Sequence, residues 1–256
     1  MRQEGWDACK EMAMIVLYTD FGVQGPYQGQ VKGVLARMAP KETMVELMAD
    51  APQCRPREAA YLLAALAPEF PAGSIFLAVV DPGVGGERPA VAVRMAGRWF
   101  VGPGNGLFEP LARRWGVEKS YEIAPAPDQR ISASFHGRDL FAPVAARLAM
   151  GLRGDEAGLQ PGAMPRMTDW PDDLAAALYV DRFGNVMTGL RAQTLPQDAR
   201  LRVGGTLLTR GRTFSDRPPG QPFWYENSCG LAEIAVNLGS AAQQLGLAAG
   251  DEVEVV

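Results

Sequence analysis

Histidine is nearly absent from this chain: His136 is the only one in 256 residues. Imidazole proton chemistry near neutral pH therefore has a single possible location. Cysteine is scarce as well. Cys9, Cys54 and Cys229 are too few and too scattered for a disulfide framework, and they lack the CxxC spacing of a metal site. No bound metal is expected, and a reducing cytoplasm is the natural location. Positive charge is not in excess, since the net charge is -4, which argues against nucleic acid as a partner. No apolar run reaches the 18 residues of a membrane span. Residues 1–13 carry acids and a tryptophan without a basic region leading into an apolar stretch, so they read as a loose extension rather than a signal peptide.

What is present is a globular composition. Hydrophobic residues make up 47% of the chain, enough for one large or two modest domains. Met14–Tyr18 and Ser74–Val80 read as buried strands ending in polar tips. Gln28–Met38, Arg57–Ala67, Leu107–Trp115 and Leu140–Leu152 read as helices, and Ala90–Met95 with Arg98–Val101 as strands paired through Ala96-Gly97. This alternation predicts a layered α/β domain over residues 14–152. Residues 153–173, rich in Gly, Pro and Asp, read as a linker. The short strand-like runs of residues 174–256 predict a small C-terminal β-barrel domain.

Val101-Gly102-Pro103-Gly104-Asn105-Gly106 lies between a strand and a helix, where a nucleotide-binding turn could sit. The third glycine comes one residue too early for the dinucleotide fingerprint, so the stretch reads as a tight turn. His136 taken alone reads as a structural residue at the start of the helix near Arg138. The company it keeps changes that reading. Thr19-Asp20-Phe21-Gly22, Asp81-Pro82-Gly83-Val84-Gly85 with Arg88, Gly102–Gly106 and Phe135–Asp139 all fall at expected strand or helix ends, where open α/β sheets collect ligands. Asp181-Arg182-Phe183-Gly184-Asn185 and Asn227-Ser228-Cys229-Gly230 follow in the C-terminal part.

In this order the six clusters resemble the S-adenosylmethionine hydroxide adenosyltransferases, relatives of the fluorinating and chlorinating enzymes. The resemblance runs from about Ile15 to Val256 and takes in Gly230–Asn237. It implies an N-terminal α/β domain, a C-terminal β-barrel, and a homotrimer that holds its small-molecule substrate at the subunit interface. Asp81, Arg88 and His136 look like the family's water-handling triad. The halogenating relatives carry tyrosines in place of Asp81 and His136. By the same resemblance Asp20 holds the ribose hydroxyls, Asp181 and Ser228 the methionine end, and Phe183, Asn185 and Phe214 the adenine. Asn227 belongs to the same binding set. The chain departs from the family at Gly25 and Gly104, where acids are expected, and at Gly189 and Cys229; Glu46–Gln53 lacks a histidine.

The implied reaction is attack of water on the ribose 5′ carbon of S-adenosylmethionine, giving adenosine and L-methionine without a cofactor. A carboxylate, a guanidinium and an imidazole suit water, whose pKa is about 15.7, better than a halide that needs only desolvation. The two alternatives are a halogenase of the same fold and a non-catalytic nucleoside- or S-adenosylmethionine-binding protein.

Overall fold

The computed structural model describes residues 13–125 and 129–256. Cys9 and nearly all of the N-terminal extension lie outside the described residues. Seven strands form the larger sheet, in the order β2-β1-β3-β5-β4-β6-β7. In chain order these are β1 (Met14–Thr19), β2 (Thr43–Met48), β3 (Ile75–Val79), β4 (Ala90–Met95), β5 (Arg98–Pro103), β6 (Lys119–Ile123) and β7 (Leu159–Pro161). The first three and β5 run parallel, while β4, β6 and β7 add an antiparallel flank. Strands buried on both faces read as continuous apolar runs, which is why β1 and β3 were legible.

Alternation along β1 divides the core. Ile15 and Leu17 face α1 (Tyr27–Met38) and a later helix, α4 (Ala142–Ala149). Val16 and Tyr18 face α2 (Pro56–Leu66) and α3 (Glu109–Trp115). The β4–β5 hairpin turns at Ala96 (φ 46°) and Gly97 (φ 72°), the two left-handed residues that a primed hairpin turn requires. The helix expected from Leu140 begins instead with a π-turn, Gly137–Phe141, before α4. Residues 153–173 are not bare chain: they hold a 3-10 turn at Gly154–Ala157, and β7 pairs with β6. Glu109, buried on α3, accepts hydrogen bonds from Arg166 Nε at 2.9 Å and the Met167 amide at 3.1 Å, tying this segment down.

The C-terminal part has seven strands: β8 (Leu174–Val180), β9 (Val186–Arg191), β10 (Leu201–Val203), β11 (Thr206–Leu208), β12 (Pro222–Glu226), β13 (Leu231–Val236) and β14 (Glu254–Val255). A short helix, α5 (Ala241–Leu245), precedes β14. They form two antiparallel sheets, β12-β13-β9-β8 and β11-β10-β14. Single bridges join them at both edges, Ala176 to Glu252 and Arg210 to Trp224, closing a small barrel around Val186, Leu201, Trp224 and Ile234. Closure removes the exposed edges that so short a set of strands would otherwise present. Tyr61 and Leu62 of α2 pack against Leu178 and Leu231, joining barrel to sheet.

Candidate active site

Parallel pairing of β1, β3 and β5 sets their carboxyl ends side by side. Asp20, Asp81 and the glycine turn therefore converge on one sheet edge, where the backbone leaves unpaired groups for a ligand. Asn105 Nδ2 donates to the Val80 carbonyl at 2.9 Å, fastening the β3 tip to the loop after β5. The turn glycines pack against the protein itself rather than forming an open cradle. A Cβ at Gly102 would come within 2.0 Å of the Ala78 carbonyl oxygen, and one at Gly106 within 2.7 Å of Trp170.

Asp81 and Arg88 form a buried pair, with side-chain exposures of 4% and 12%. Arg88 Nε donates to Asp81 Oδ1 at 2.9 Å, and Nη2 donates to Oδ2, a bidentate fork. Arg88 Nη2 also lies 2.9 Å from His136 Nδ1. A guanidinium only donates, so Nδ1 must be the acceptor and the neutral ring carries its proton on Nε2. Burial first, and the Arg88 charge second, hold the His136 pKa below its ordinary 6.5. The Phe141 ring lies under the Arg88 guanidinium at 5.3 Å and edge-on to His136 at 6.4 Å, walling one side. The π-turn places His136 here, a distortion often found where a helix end serves a site. The neighbouring Arg138 and Asp139 pair with each other instead, at 2.6 Å, and Asp139 also takes the Ser132 amide at 2.9 Å.

Asp20 stands close enough to Asp81 to feel its charge. Burial raises the Asp20 pKa, and the Cys54 amide opposes this by donating to Oδ2 at 2.9 Å. Cys54 delivers that amide from a left-handed conformation (φ 55°), uncommon outside glycine. Asp20 lines a cavity of about 500 Å3 with Asp50 and Tyr179.

The C-terminal candidates gather in one larger cavity of about 870 Å3. Asp181, Phe183, Asn185, Phe214, Asn227 and Ser228 all line it, whereas Asp20, Asp81, Arg88 and His136 do not. Within one chain the structure thus builds two separate groups. Asp181 Oδ1 accepts the amides of Phe183 and Asn185, at 2.9 and 2.8 Å, and Oδ2 accepts Asn185 Nδ2 at 3.0 Å, so this carboxylate also shapes its own turn. Asn227 Oδ1 does likewise for the amides of Cys229 and Leu231. The Ser228 side chain and the Phe183 ring are left exposed.

Sequence reasoning passed over Glu233 in this cavity. Only 3% exposed, it accepts the Asn227 Nδ2 at 2.8 Å and the Tyr225 hydroxyl at 2.5 Å. Burial, then Glu233, push the Tyr225 pKa well up. The available signal was an acid inside the apolar run Leu231–Val236. Among the described residues no lysine or arginine lines the cavity, so Asp181 and Glu233 leave it negative. Of the departures, Gly104 has no room for an acid: its Cβ would meet Pro89 Cγ at 2.9 Å and Pro165 Cδ at 3.2 Å. Gly25, with φ at 99°, faces open space.

Comparison with known proteins shows the family to which the chain belongs. The family models of the SAM hydroxide adenosyltransferase N-terminal and C-terminal domains match residues 15–158 and 175–254. The chain is 40% identical to the (R)-S-adenosyl-L-methionine hydrolase of Thermus thermophilus, over 96% of this chain and 100% of that one. It is 25% identical to the fluorinase of Nocardia brasiliensis, over 94% and 96%. Among solved structures it resembles a conserved protein of Thermotoga maritima (TM-score 0.85, 32% identity, covering 95% of this chain and 100% of that one). A conserved Thermus thermophilus protein is also similar (TM-score 0.76, 38% identity, 96% and 100%). With both family models matched in order and nearly the whole chain covered, this protein belongs to the SAM hydroxide adenosyltransferase family.

Proposed function

We propose that this protein is a hydrolase that cleaves S-adenosyl-L-methionine at the ribose 5′ carbon with an activated water, releasing adenosine and L-methionine. The single observation that carries this reading is the guanidinium of Arg88 gripping a buried carboxylate and a neutral imidazole at once. Such a group serves a water, which must be oriented and deprotonated, and has little use for a halide. A family match at 40% identity to proteins named as (R)-S-adenosyl-L-methionine hydrolases supports the same choice.

In the mechanism, water attacks in line with the C–S bond and methionine departs as a neutral thioether, so the leaving group needs no acid and the reaction needs no metal. With its Nδ1 lone pair engaged by Arg88, His136 offers Nε2–H to the water and fixes its direction. Asp81 accepts the proton, and Arg88 holds that carboxylate in place. Asp20 takes the ribose hydroxyls. Asp181, Ser228 and Asn227 meet the methionine end, and Phe183, Phe214 and Asn185 the adenine. The negative C-terminal cavity suits a sulfonium ligand over a neutral nucleoside. Incubation with S-adenosylmethionine should yield adenosine and methionine in equal amounts by chromatography, independent of chloride. A chloride requirement would point to halogenation, and no product at all to a binding protein.

Asp20→Ala should weaken adenosine binding by about 1.5–3 kcal/mol, the range for hydrogen bonds to a charged group. Calorimetry giving unchanged affinity would remove Asp20 from the ribose.

The working unit in this reading is a homotrimer with each site shared between subunits. Two observations support sharing. The triad and the C-terminal cavity are separate within one chain, and exposed apolar side chains lie in that cavity and on the loop after Asp20. Phe183 (78% exposed) lines that cavity with Leu238 (87%), and Val23 (78%) lies on the loop after Asp20. Light scattering at micromolar concentration should give a mass three times that of the chain; an active monomer would contradict the shared site. We also infer two units, 14–152 and 174–256 joined by 153–173, and a cytoplasmic location in keeping with free thiols at Cys54 and Cys229.

A further inference from the structure

Tyr179, near the end of β8, lies in the smaller cavity beside Asp20 and not in the C-terminal one. Its hydroxyl donates to Asp50 Oδ2 at 2.8 Å. This bond joins barrel to sheet domain across 129 residues of chain, since Asp50 sits on the loop between β2 and α2. Burial first, and the bond to Asp50 second, push the Tyr179 pKa above its ordinary 10, so the hydroxyl keeps its proton and remains a donor. Among the described residues, Asp50 makes no other side-chain hydrogen bond.

The loop that carries Asp50 is stitched to the end of β1. The Gly22 amide donates to the Ala49 carbonyl at 2.6 Å, and the Ala51 amide to the Thr19 carbonyl at 3.0 Å. The residues on either side of Asp50 are thus bonded to the chain on either side of Asp20. Residues 49–54 form a strap that ends at Cys54, whose amide meets Asp20 Oδ2 at 2.9 Å. Cys54 delivers it at φ 55°, a conformation that a residue with a Cβ keeps only where its surroundings impose it. Beyond the strap, Pro56 opens α2, which packs through Tyr61 and Leu62 against Leu178 of the barrel. The bond from Tyr179 therefore holds the middle of a segment whose far end sets the Asp20 carboxylate.

We propose that Tyr179 is a positioning residue for Asp20: by holding Asp50 it fixes the strap, and the strap aims the Cys54 amide at the Asp20 carboxylate. The Cys54 bond occupies Oδ2 and so sets how the carboxylate presents its other oxygen. Its effect on binding rests on the reading of Asp20 as the ribose acceptor, and it gives the barrel a part in the nucleoside pocket of its own chain. The test compares Tyr179→Phe, Asp50→Ala and Asp50→Asn with wild type in the full chain. Phenylalanine keeps the ring that packs against the cluster of Tyr61 and Leu62, so Tyr179→Phe should fold normally. Hydrogen exchange at the Cys54 amide, followed by NMR, should quicken about tenfold in Tyr179→Phe and Asp50→Ala. It should stay slow in Asp50→Asn, whose amide oxygen still accepts the tyrosine hydrogen. Adenosine should bind about three- to tenfold more weakly in the first two variants, the span of one ordinary hydrogen bond. KM for S-adenosylmethionine should rise alike while kcat at saturation holds. In an Asp20→Ala background Tyr179→Phe should cost adenosine binding nothing further. Unchanged Cys54 exchange in Tyr179→Phe overturns the proposal. So does an equal loss of affinity with and without Asp20, or a failure of Asp50→Asn to keep wild-type values. Should Cys54 exchange respond as expected while Asp20→Ala binds adenosine normally, the strap stands and the ribose assignment falls. Should Tyr179→Phe fail to fold, Asp50→Ala, altered only at an exposed side chain, gives the same readings.

Discussion

Asp81→Asn should lower turnover by about 10²–10⁴-fold, the span for losing a positioned proton acceptor. The substitution keeps the shape of the side chain while removing its charge and setting an amide NH2 against one Arg88 donor, so the ion pair is lost and the water loses its base. Arg88→Ala should be similarly damaging, because it frees the buried carboxylate and the imidazole together. The double variant should be little worse than either single one, since groups that act as a unit fail together. Additive losses in kcat would mean that Asp81 and Arg88 work separately, and the shared-guanidinium mechanism would fall. Substrate dissociation constants for all three variants should stay near the wild-type value, as none of these groups is assigned to holding the nucleoside.

His136→Ala should cost about 10²–10³-fold in turnover, whereas His136→Gln should recover a substantial part of it. Glutamine offers an N–H to the water and a carbonyl to Arg88, which are the two bonds that the neutral imidazole makes. If His136 were instead the proton acceptor, glutamine would be as poor as alanine. The pH profile supplies a second reading. Protonating His136 puts a hydrogen on Nδ1, facing an Arg88 N–H, so the bond breaks and the cations repel. The folded pKa lies below 6.5, so activity should hold through neutrality and fall only as pH drops through that lowered value. Because the chain has no second histidine, the acid limb due to imidazole should vanish in His136→Gln. An unchanged limb would assign the titration to another group and leave His136 structural.

The contrast between these side chains and the C-terminal ones reflects what a sequence can encode locally. Continuous apolar runs announced β1 and β3, and an alternating polar tip after each announced Asp20 and Asp81. That part of the site was legible because the position of a strand end is a local property. Motif order and the family resemblance then joined His136 and Arg88 to them. Strands β9 and β12 escaped, because Val186–Arg191 and Pro222–Glu226 have mixed patterns whose burial depends on closing the barrel. The role of Glu233 was hidden for the same reason: only the β12–β13 pairing, which sets Tyr225 opposite Glu233, turns an acid in an apolar strand into the floor of a cavity.

By itself the sequence determined the fold class, the polar strand tips and membership of a family, since these rest on local periodicity and motif order. Tertiary structure alone decided the chemistry of the imidazole. Which nitrogen carries the proton follows from a guanidinium forty-eight residues away in the chain, and no local pattern contains that contact. Long-range packing likewise denied a side chain to Gly104 and kept the triad apart from the C-terminal cavity within one chain. Each is a matter of which atoms meet across the core, and that is settled only when the sheet and barrel have closed.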